Sequence, residues 1–110
     1  MQITKIQFQY FEGCPNSKNT VENLLKVIDE LKIDRNKFEI INVNDFNLAK
    51  NLNFQGSPTI LIDGIDIYTD KKPEGFNYSC RVYNINNIST GIIPEEFIRV
   101  KLKSFLERKF

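Results

Sequence analysis

Two cysteines are the side chains of this sequence best able to do chemistry, and the first lies where its reactivity is favoured. Cys14 stands between a run of alternating apolar residues and a run with helical spacing that begins at Pro15. At the start of a helix, backbone N–H groups without partners and the positive end of the helix dipole both stabilise an anion. Because the thiolate is the nucleophile, we expect Cys14 to be reactive, with a pKa below the ordinary value of about 8.5.

The neighbours of Cys14 act in opposite directions. Lys18 adds a cation that favours the thiolate, whereas Glu12 adds an anion that disfavours it. The alternative interpretation is that Cys14 is a small apolar residue buried at the end of a strand, as free cysteines often are.

The second cysteine, Cys80, follows Ser79 in a segment without periodicity. If this segment approaches Cys14, Cys80 would act as a resolving thiol that attacks a mixed disulfide on Cys14, with Arg81 favouring its thiolate. The alternative, equally weighted, is that Cys80 is a half-buried anchor of the loop, with Tyr78, Val82 and Tyr83 packed beside it.

Two facing thiols would also suit a soft metal ion such as mercury or copper(I), because such ions prefer sulfur ligands. The sequence offers no third soft ligand beyond Met1 and no His, so we do not expect a closed tetrahedral zinc site. The absence of His also excludes a His general base. No organic cofactor is required by the expected chemistry.

The net charge and the lack of long apolar stretches indicate which kinds of partner the chain is not built to bind. The net charge is +1, which gives the chain no electrostatic reason to bind nucleic acid or an anionic membrane. No stretch approaches the roughly 20 apolar residues that cross a bilayer, and the first residues lack the order of a signal peptide. We therefore expect a cytoplasmic protein, monomeric, in which two cysteines are more often reactive than permanently paired.

The elements that must position these residues follow from the spacing of apolar side chains. Ile3, Ile6, Phe8 and Tyr10 predict a strand, and the next run predicts a helix over about 15–32. The remaining elements, in order, are a strand over 38–43, a short helix, a strand over 59–62, a turn at Asp63–Gly64, a strand over 65–68, a loop over about 69–93 and a final helix.

The short helix and the last helix can be located by the residues at their first turn and by the apolar residues on one face of each helix. The short helix begins at Asn44 or Asp45, and the last helix has proline in its first turn. The residues expected to face inward are Phe46, Leu48, Ala49 and Leu52 in the short helix and Ile98, Leu102, Phe105 and Leu106 in the last. The total is an α/β protein in which a four-stranded mixed sheet has helices on both faces.

Besides the two cysteines, the motif Gly56-Ser57-Pro58-Thr59 is a candidate part of the site. A proline directly before a buried strand is unusual, since it cannot donate a hydrogen bond to the sheet. Pro58 is a candidate for a cis peptide bond, which in folded proteins occurs mainly before proline. The alternative is an ordinary trans turn.

The order strand, Gly13-Cys14-Pro15, helix, strand and then Gly56-Ser57-Pro58-Thr59 resembles the thioredoxin family over about residues 3–68. The resemblance implies a thioredoxin fold of order βαβαββα and a single thioredoxin-like domain over 1–110. It also implies that Cys14 is the first cysteine of the family's C-x-x-C motif. Pro58 would be the cis-proline packed against Cys14, and the backbone of Ser57 would bind a substrate lying across Cys14.

The chain departs from the family at Ser17, which stands where the second cysteine would be, so the motif is C-P-N-S. Serine can hydrogen-bond the thiolate but cannot form a disulfide with it. Monothiol glutaredoxins also have serine there, but their C-G-F-S motif and Gly-Gly turn are missing, so glutathione or iron–sulfur carriage is poorly supported. The later Ser79-Cys80-Arg81-Val82-Tyr83 adds a similarity to small prokaryotic thioredoxin-like proteins named after alkylmercury lyase.

The resemblance and the residues together predict a thiol–disulfide redox protein acting on protein or small-molecule thiols and disulfides. Cys14 is the expected nucleophile and Cys80 the resolving thiol. The residues expected to support the substrate and the sulfur are Pro15, Ser17, Ser57, Pro58 and Thr59. Two alternatives stay open: a soft-metal or peptide binding module without turnover, with Cys14 and Cys80 as the metal ligands, and a redox-inactive interaction domain.

Overall fold

A computed structural model describes residues 3–107, and its elements follow the predicted order with one added hairpin. The strands are β1 (Ile6–Tyr10), β2 (Phe38–Asn42), β3 (Thr59–Ile62), β4 (Ile65–Asp66), β5 (Tyr83–Ile85) and β6 (Ile88–Thr90). The α-helices are α1 (Ser17–Glu30), α2 (Phe46–Leu52) and α3 (Glu95–Leu106).

The main sheet has four strands in the order β2-β1-β3-β4. β1 and β2 are parallel, with Phe8 opposite Ile40, and α1 provides the crossover that parallel strands need. β3 runs antiparallel to β1, with Ile60 opposite Phe8, and β4 is antiparallel to β3. The predicted α/β class and the four-stranded mixed sheet are therefore confirmed.

The two faces of the sheet are covered by different helices, because side chains alternate along a strand. The face that carries Ile6 and Phe8 packs against α1 and α3. The buried residues of this core include Ile60 and Ile62 of β3, Leu24, Val27 and Ile28 of α1, and Ile98, Leu102 and Phe105 of α3. The opposite face carries a smaller cluster of Val43, Ala49 and Phe54, which brings α2 to that side.

The first helix differs from the prediction at its start. α1 begins at Ser17 rather than Pro15, because residues 14–17 form a turn in which the N–H of Ser17 donates to the C=O of Cys14 at 3.5 Å. At the other end Lys32 has a φ of 57°, and the N–H of Ile33 closes the helix on the C=O of Ile28 at 3.0 Å. Cys14 thus lies one turn ahead of the helix, beyond the end of β1.

The start of the short helix is resolved in favour of Asp45, whose carboxylate accepts the N–H of Leu48 at 2.7 Å. Ala49 is buried as expected, and Leu48 and Leu52 are half-buried. The prediction that Phe46 faces inward is wrong: it is 58% exposed, and its ring packs edge-on against Phe76 at 5.1 Å between centroids. A helix of seven residues covers only a small part of the sheet, and its first residue lies at the margin.

The last helix agrees with the prediction in its inward residues, but it begins at Glu95, so the proline precedes its first turn. Pro94 is its N-cap, Ile98, Leu102 and Phe105 are buried, and Leu106 packs partly against the core.

The segment over 69–93, predicted to lack regular structure, contains the β5–β6 hairpin. Its turn is Asn86–Asn87, both with positive φ (54° and 66°), a conformation that asparagine tolerates better than most residues. Strands of three residues are too short for alternation to be recognised in the sequence. The same segment also forms an isolated parallel bridge between Cys80 and Ser57, which brings the second cysteine to the edge of β3.

Candidate functional site

Ser57 is the residue at which the parts of the candidate site meet. It is buried, it immediately precedes β3, and the Ser57–Pro58 peptide bond is cis, as the sequence analysis expects. Its hydroxyl accepts the N–H of Phe11 at 3.2 Å and lies 3.0 Å from the hydroxyl of Ser17. One side chain therefore ties the loop after β1, the start of α1 and the start of β3 together.

The backbone of Ser57 holds the segment Ser79–Arg81, here called the 79–81 segment. The N–H of Ser57 donates to the C=O of Ser79, and the N–H of Arg81 donates to the C=O of Ser57, both at 2.8 Å. Gly56 permits this approach, because a Cβ at that position would lie 3.0 Å from the Cβ of Arg81. Cys80, between the two bonded residues, is thereby brought to Cys14.

Cys14 also lies against Ser57. It is only 7% exposed, and its thiol donates to the C=O of Ser57 at 3.4 Å. Both cysteines are free thiols.

The pKa of the Cys14 thiol is lowered. Burial is the largest single influence and raises the pKa, since it disfavours the charged form. Hydrogen bonds from the Ser57 side chain, the Asn16 backbone, the Cys80 thiol and the Ser17 side chain together outweigh burial. The direction is the one predicted from sequence. The groups that produce it are hydrogen-bonding partners, among them the Asn16 backbone ahead of α1, rather than the Lys18 charge.

The pKa of Cys80 is raised, so the two thiols are unequal. Its hydrogen bond to Cys14 is the largest cause, followed by burial and by the charge of the Cys14 sulfur. Cys80 therefore stays protonated while Cys14 ionises, and it donates to the Cys14 thiolate. The expectation that Arg81 would favour the Cys80 thiolate is wrong.

Arg81 is instead held by other groups. Its guanidinium forms an ion pair with Asp66 at 2.8 Å, in which the side chains are 11% and 2% exposed, and donates to the hydroxyl of Thr59 at 3.1 Å. It also lies over the rings of Tyr68 and Tyr83, 5.4 Å and 4.8 Å from the centroids. Arg81 thus fixes the 79–81 segment against β3 and β4.

Tyr83 anchors the segment from its other end. It is fully buried, and its hydroxyl donates to the C=O of Pro58. Burial raises the pKa of this hydroxyl, so it remains a donor. The alternative that Cys80 itself is the half-buried anchor is wrong, because Cys80 is exposed. Val82 and Tyr78 are also exposed, although the Tyr78 ring packs edge-on against Phe11 at 5.3 Å between centroids.

A cavity of about 330 Å³ opens beside Cys14, between α1 and the edge strand β2. Its walls are mainly aromatic and aliphatic, and Glu12 and Lys18 are its charged lining residues. The lining consists of Phe8, Tyr10, Phe11, Glu12, Cys14, Ser17, Lys18, Val21 and Ile40.

The structure brings together four of the residues predicted for the site: Cys14, Ser17, Ser57 and Cys80. Pro15 is exposed in the turn before α1, and Thr59 is buried, where it donates to the C=O of Gly56 and accepts from Arg81. Sequence reasoning missed Asp66 and the anchoring role of Tyr83. Asp66 follows a hairpin turn by two residues, and nothing in its local pattern indicates a buried ion pair.

The described part of the chain shows neither a cluster of metal ligands nor a membrane-spanning helix. Among residues 3–107 no three or more His, Cys, Asp or Glu side chains gather as a metal site, and Met1, named above as a soft ligand, lies outside these residues. No helix described there is long and apolar enough to cross a membrane.

Comparison with protein-family models, curated proteins and solved structures finds no match to the chain.

The lowered pKa of Cys14 predicts that this residue is alkylated faster than an ordinary thiol at pH values where free cysteine is mostly protonated. Replacing Cys80 by Ala removes one stabilising hydrogen bond, so the pKa of Cys14 should rise and its alkylation profile should shift to higher pH. The measurement is the iodoacetamide rate at Cys14 against pH, resolved by peptide mass spectrometry, with Ser89→Ala on exposed β6 as the control. A Cys14 that titrates like free cysteine, or no shift in Cys80→Ala, would contradict the assignment.

Arg81→Ala leaves the Asp66 carboxylate buried without its partner, which we expect to lower the free energy of unfolding by about 3 kcal/mol. It should also raise the pKa of Cys14, because the 79–81 segment loses its side-chain anchor. Urea unfolding and the same alkylation profile measure the two effects. The matched control is Arg35→Ala, whose partner Asp29 is exposed, so its loss should be much smaller and the Cys14 profile unchanged. Equal effects of the two substitutions would refute this role.

Proposed function

We propose that the chain is a thiol–disulfide oxidoreductase with a thioredoxin-like fold, in which Cys14 is the nucleophile and Cys80 the resolving thiol. One observation carries the proposal: the bridge between Ser57 and Cys80 brings the second cysteine to the residue that the Cys14 thiol contacts. There the hydrogen bond between the two thiols lowers the pKa of Cys14 and raises that of Cys80. An attacking thiol needs to be ionised, and a resolving thiol needs to stay protonated until the mixed disulfide has formed.

The thioredoxin-like assignment is supported by how the elements are combined. A parallel β1–α1–β2 unit is followed by α2, an antiparallel β3–β4 pair and a final helix. Cys14 lies between β1 and α1, and the cis Ser57–Pro58 bond precedes β3. The β5–β6 hairpin is an insertion between the last sheet strand and the last helix.

The proposed reaction takes two electrons from the protein dithiol. The Cys14 thiolate attacks one sulfur of a substrate disulfide, forms a mixed disulfide and releases one substrate thiolate, which takes up a proton. Cys80 then loses its proton and attacks the Cys14 sulfur. This step forms the Cys14–Cys80 disulfide and releases the second substrate thiolate, and an external dithiol reductant restores both thiols.

The unequal thiols fit the order of these steps. Two of the three influences that raise the pKa of Cys80 come from the Cys14 sulfur. Both lose the thiolate on which they depend when Cys14 enters the mixed disulfide, so Cys80 becomes easier to ionise at the moment when it has to attack. Ser17, which cannot form a disulfide, contributes hydrogen bonding to the Cys14 thiolate and a link to Ser57.

The contact between two thiols also supports a second candidate function, the binding of a soft metal ion by both sulfurs without turnover. The site offers two soft ligands, which suits the low coordination numbers that mercury and copper(I) accept. The two candidates differ in whether the sulfurs cycle between dithiol and disulfide.

Oxidation of the wild-type protein should produce a Cys14–Cys80 disulfide within one chain, seen as a loss of two mass units and as a cross-linked peptide. Turnover of a disulfide with dithiothreitol as the reductant should depend on Cys14, and Cys14→Ser should abolish it. Cys80→Ser is tested in a single turnover without dithiothreitol, because that dithiol would itself release the substrate from Cys14. Under these conditions the variant should stop after one step with the substrate thiol attached to Cys14.

The matched control is Ser17→Ala, which keeps both sulfurs and should reduce the rate without abolishing the internal disulfide. Absence of the Cys14–Cys80 disulfide, together with a Cys80→Ser variant that does not retain the substrate thiol in the single turnover, would contradict the resolving role. Stoichiometric mercury or copper(I) binding that needs both thiols, without any turnover, would replace the oxidoreductase by the metal-binding candidate.

A further inference from the structure

We infer that the substrate of this site is a small, neutral, apolar disulfide that enters the cavity beside Cys14, and not an extended peptide. The inference rests on the proposed function and names the substrate class for it. Two independent features of the structure support it: the backbone of Ser57 next to Cys14 is already occupied, and the cavity that Cys14 lines is mainly apolar.

The edge at Ser57 has no backbone group left for a peptide. An extended peptide adds to a sheet edge through main-chain hydrogen bonds. At Ser57 the N–H is bonded to Ser79 and the C=O accepts both the Arg81 N–H and the Cys14 thiol. The 79–81 segment thus takes the place that a bound peptide strand would use, with its own cysteine facing Cys14. In this inference the backbone of Ser57 holds the 79–81 segment, in place of the substrate that the resemblance implies.

The segment is also fixed against displacement by a peptide. Arg81 is held by the buried Asp66 ion pair, and Tyr83 is bonded to the C=O of Pro58. Removing the segment from Ser57 would uncover these buried groups as well as two backbone hydrogen bonds, and leaving buried polar groups without partners is costly.

The cavity provides the alternative route to the sulfur. Its volume of about 330 Å³ lies at the lower end of the range typical of small-molecule sites. Phe8, Tyr10, Val21 and Ile40 form an apolar wall, and Cys14 is part of the same lining. A ligand held against this wall would place its sulfur within reach of the nucleophile.

Charge argues against an ionic substrate. The charged side chains of the lining are one acid and one base, Glu12 and Lys18, which together offer no net attraction for an anion or a cation. Ile40 on the edge strand is 51% exposed, so apolar surface continues to the mouth of the cavity. A neutral substrate with short hydrocarbon groups on both sulfurs matches this lining.

The electron balance is that of the proposed function. Dipropyl disulfide would accept two electrons and two protons from Cys14 and Cys80 and leave as two molecules of propanethiol. Dithiothreitol, as the dithiol reductant, would reduce the resulting Cys14–Cys80 disulfide.

The test compares two disulfides of nearly equal size, dipropyl disulfide and bis(hydroxyethyl) disulfide, which differ in a terminal methyl or hydroxyl group. Their rates are divided by the rates measured with a small free thiol, which removes differences in intrinsic reactivity. We expect the protein to prefer dipropyl disulfide in kcat/KM by about tenfold, as burial of two terminal methyl groups predicts. Insulin, the peptide-borne disulfide, should be reduced no faster than by the free thiol.

Substitutions then connect the preference to the cavity. The double variant Val21→Thr and Ile40→Thr makes the wall polar without a change in charge, and it shortens the wall by one methyl group at position 40, so the preference should fall to about threefold or less. Val100→Thr on the exposed surface of α3 is the matched control and should keep the full preference. Iodoacetamide alkylation of Cys14 should be unchanged in all variants, which shows that the thiol and the fold are intact.

A non-reactive ligand separates this inference from the proposed function. Dipropyl thioether has no S–S bond, and its binding in the cavity should slow the alkylation of Cys14 in the wild type but not in the double variant. Protection of Cys14 by the thioether without turnover of any disulfide would contradict the proposed oxidoreductase function and would leave the cavity as a binding site. A second outcome is turnover without protection by the thioether, with equal rates for the two small disulfides or with a preference for insulin. This outcome would overturn the apolar substrate class but would agree with the proposed oxidoreductase function.

Discussion

The candidate site depends on the hydrogen bonds of one residue, Ser57. Its C=O accepts from both the Cys14 thiol and the Arg81 backbone, its N–H is bonded to Ser79, and its hydroxyl links Phe11 and Ser17. Every group that can donate or accept in Ser57 therefore serves to bring two distant parts of the chain together. The unequal pKa values of Cys14 and Cys80 follow from this arrangement, because Ser57, Asn16 and Ser17 hydrogen-bond the Cys14 sulfur, which then accepts from the Cys80 thiol.

Much of the fold could be predicted because its elements carry repeated local signals. The helical stripe that includes Leu24 and Ile28 and the apolar run of β3 each extend over several residues, so their type and order are evident from spacing. The cis bond at Pro58 was predicted from the resemblance together with an unusual proline before a strand. Cys14 was singled out by its place between a strand and a helix, and its lowered pKa has the direction that this place indicates.

The missing part of the prediction is the packing of residues 79–90. A bridge of one residue between Ser57 and Cys80 leaves no periodic pattern, and the ion pair of Arg81 with Asp66 joins side chains whose local sequences look like ordinary loop and strand. The predicted effect of Arg81 on the pKa of Cys80 is wrong because the local sequence does not show that the Arg81 guanidinium is bound to Asp66. Phe46 illustrates the converse: its spacing fits an inward stripe, but α2 is too short to bury it.

Amide hydrogen exchange of the reduced protein tests most directly whether Ser57 holds the 79–81 segment. We expect the N–H groups of Ser57 and Arg81 to be protected to a similar degree and to lose protection together, because both bonds join the same two segments. Their protection should exceed that of exposed loop amides near Lys72. Exchange of the Arg81 amide at the rate of an unstructured peptide, with Ser57 still protected, would show that Ser57 does not hold Cys80 beside Cys14.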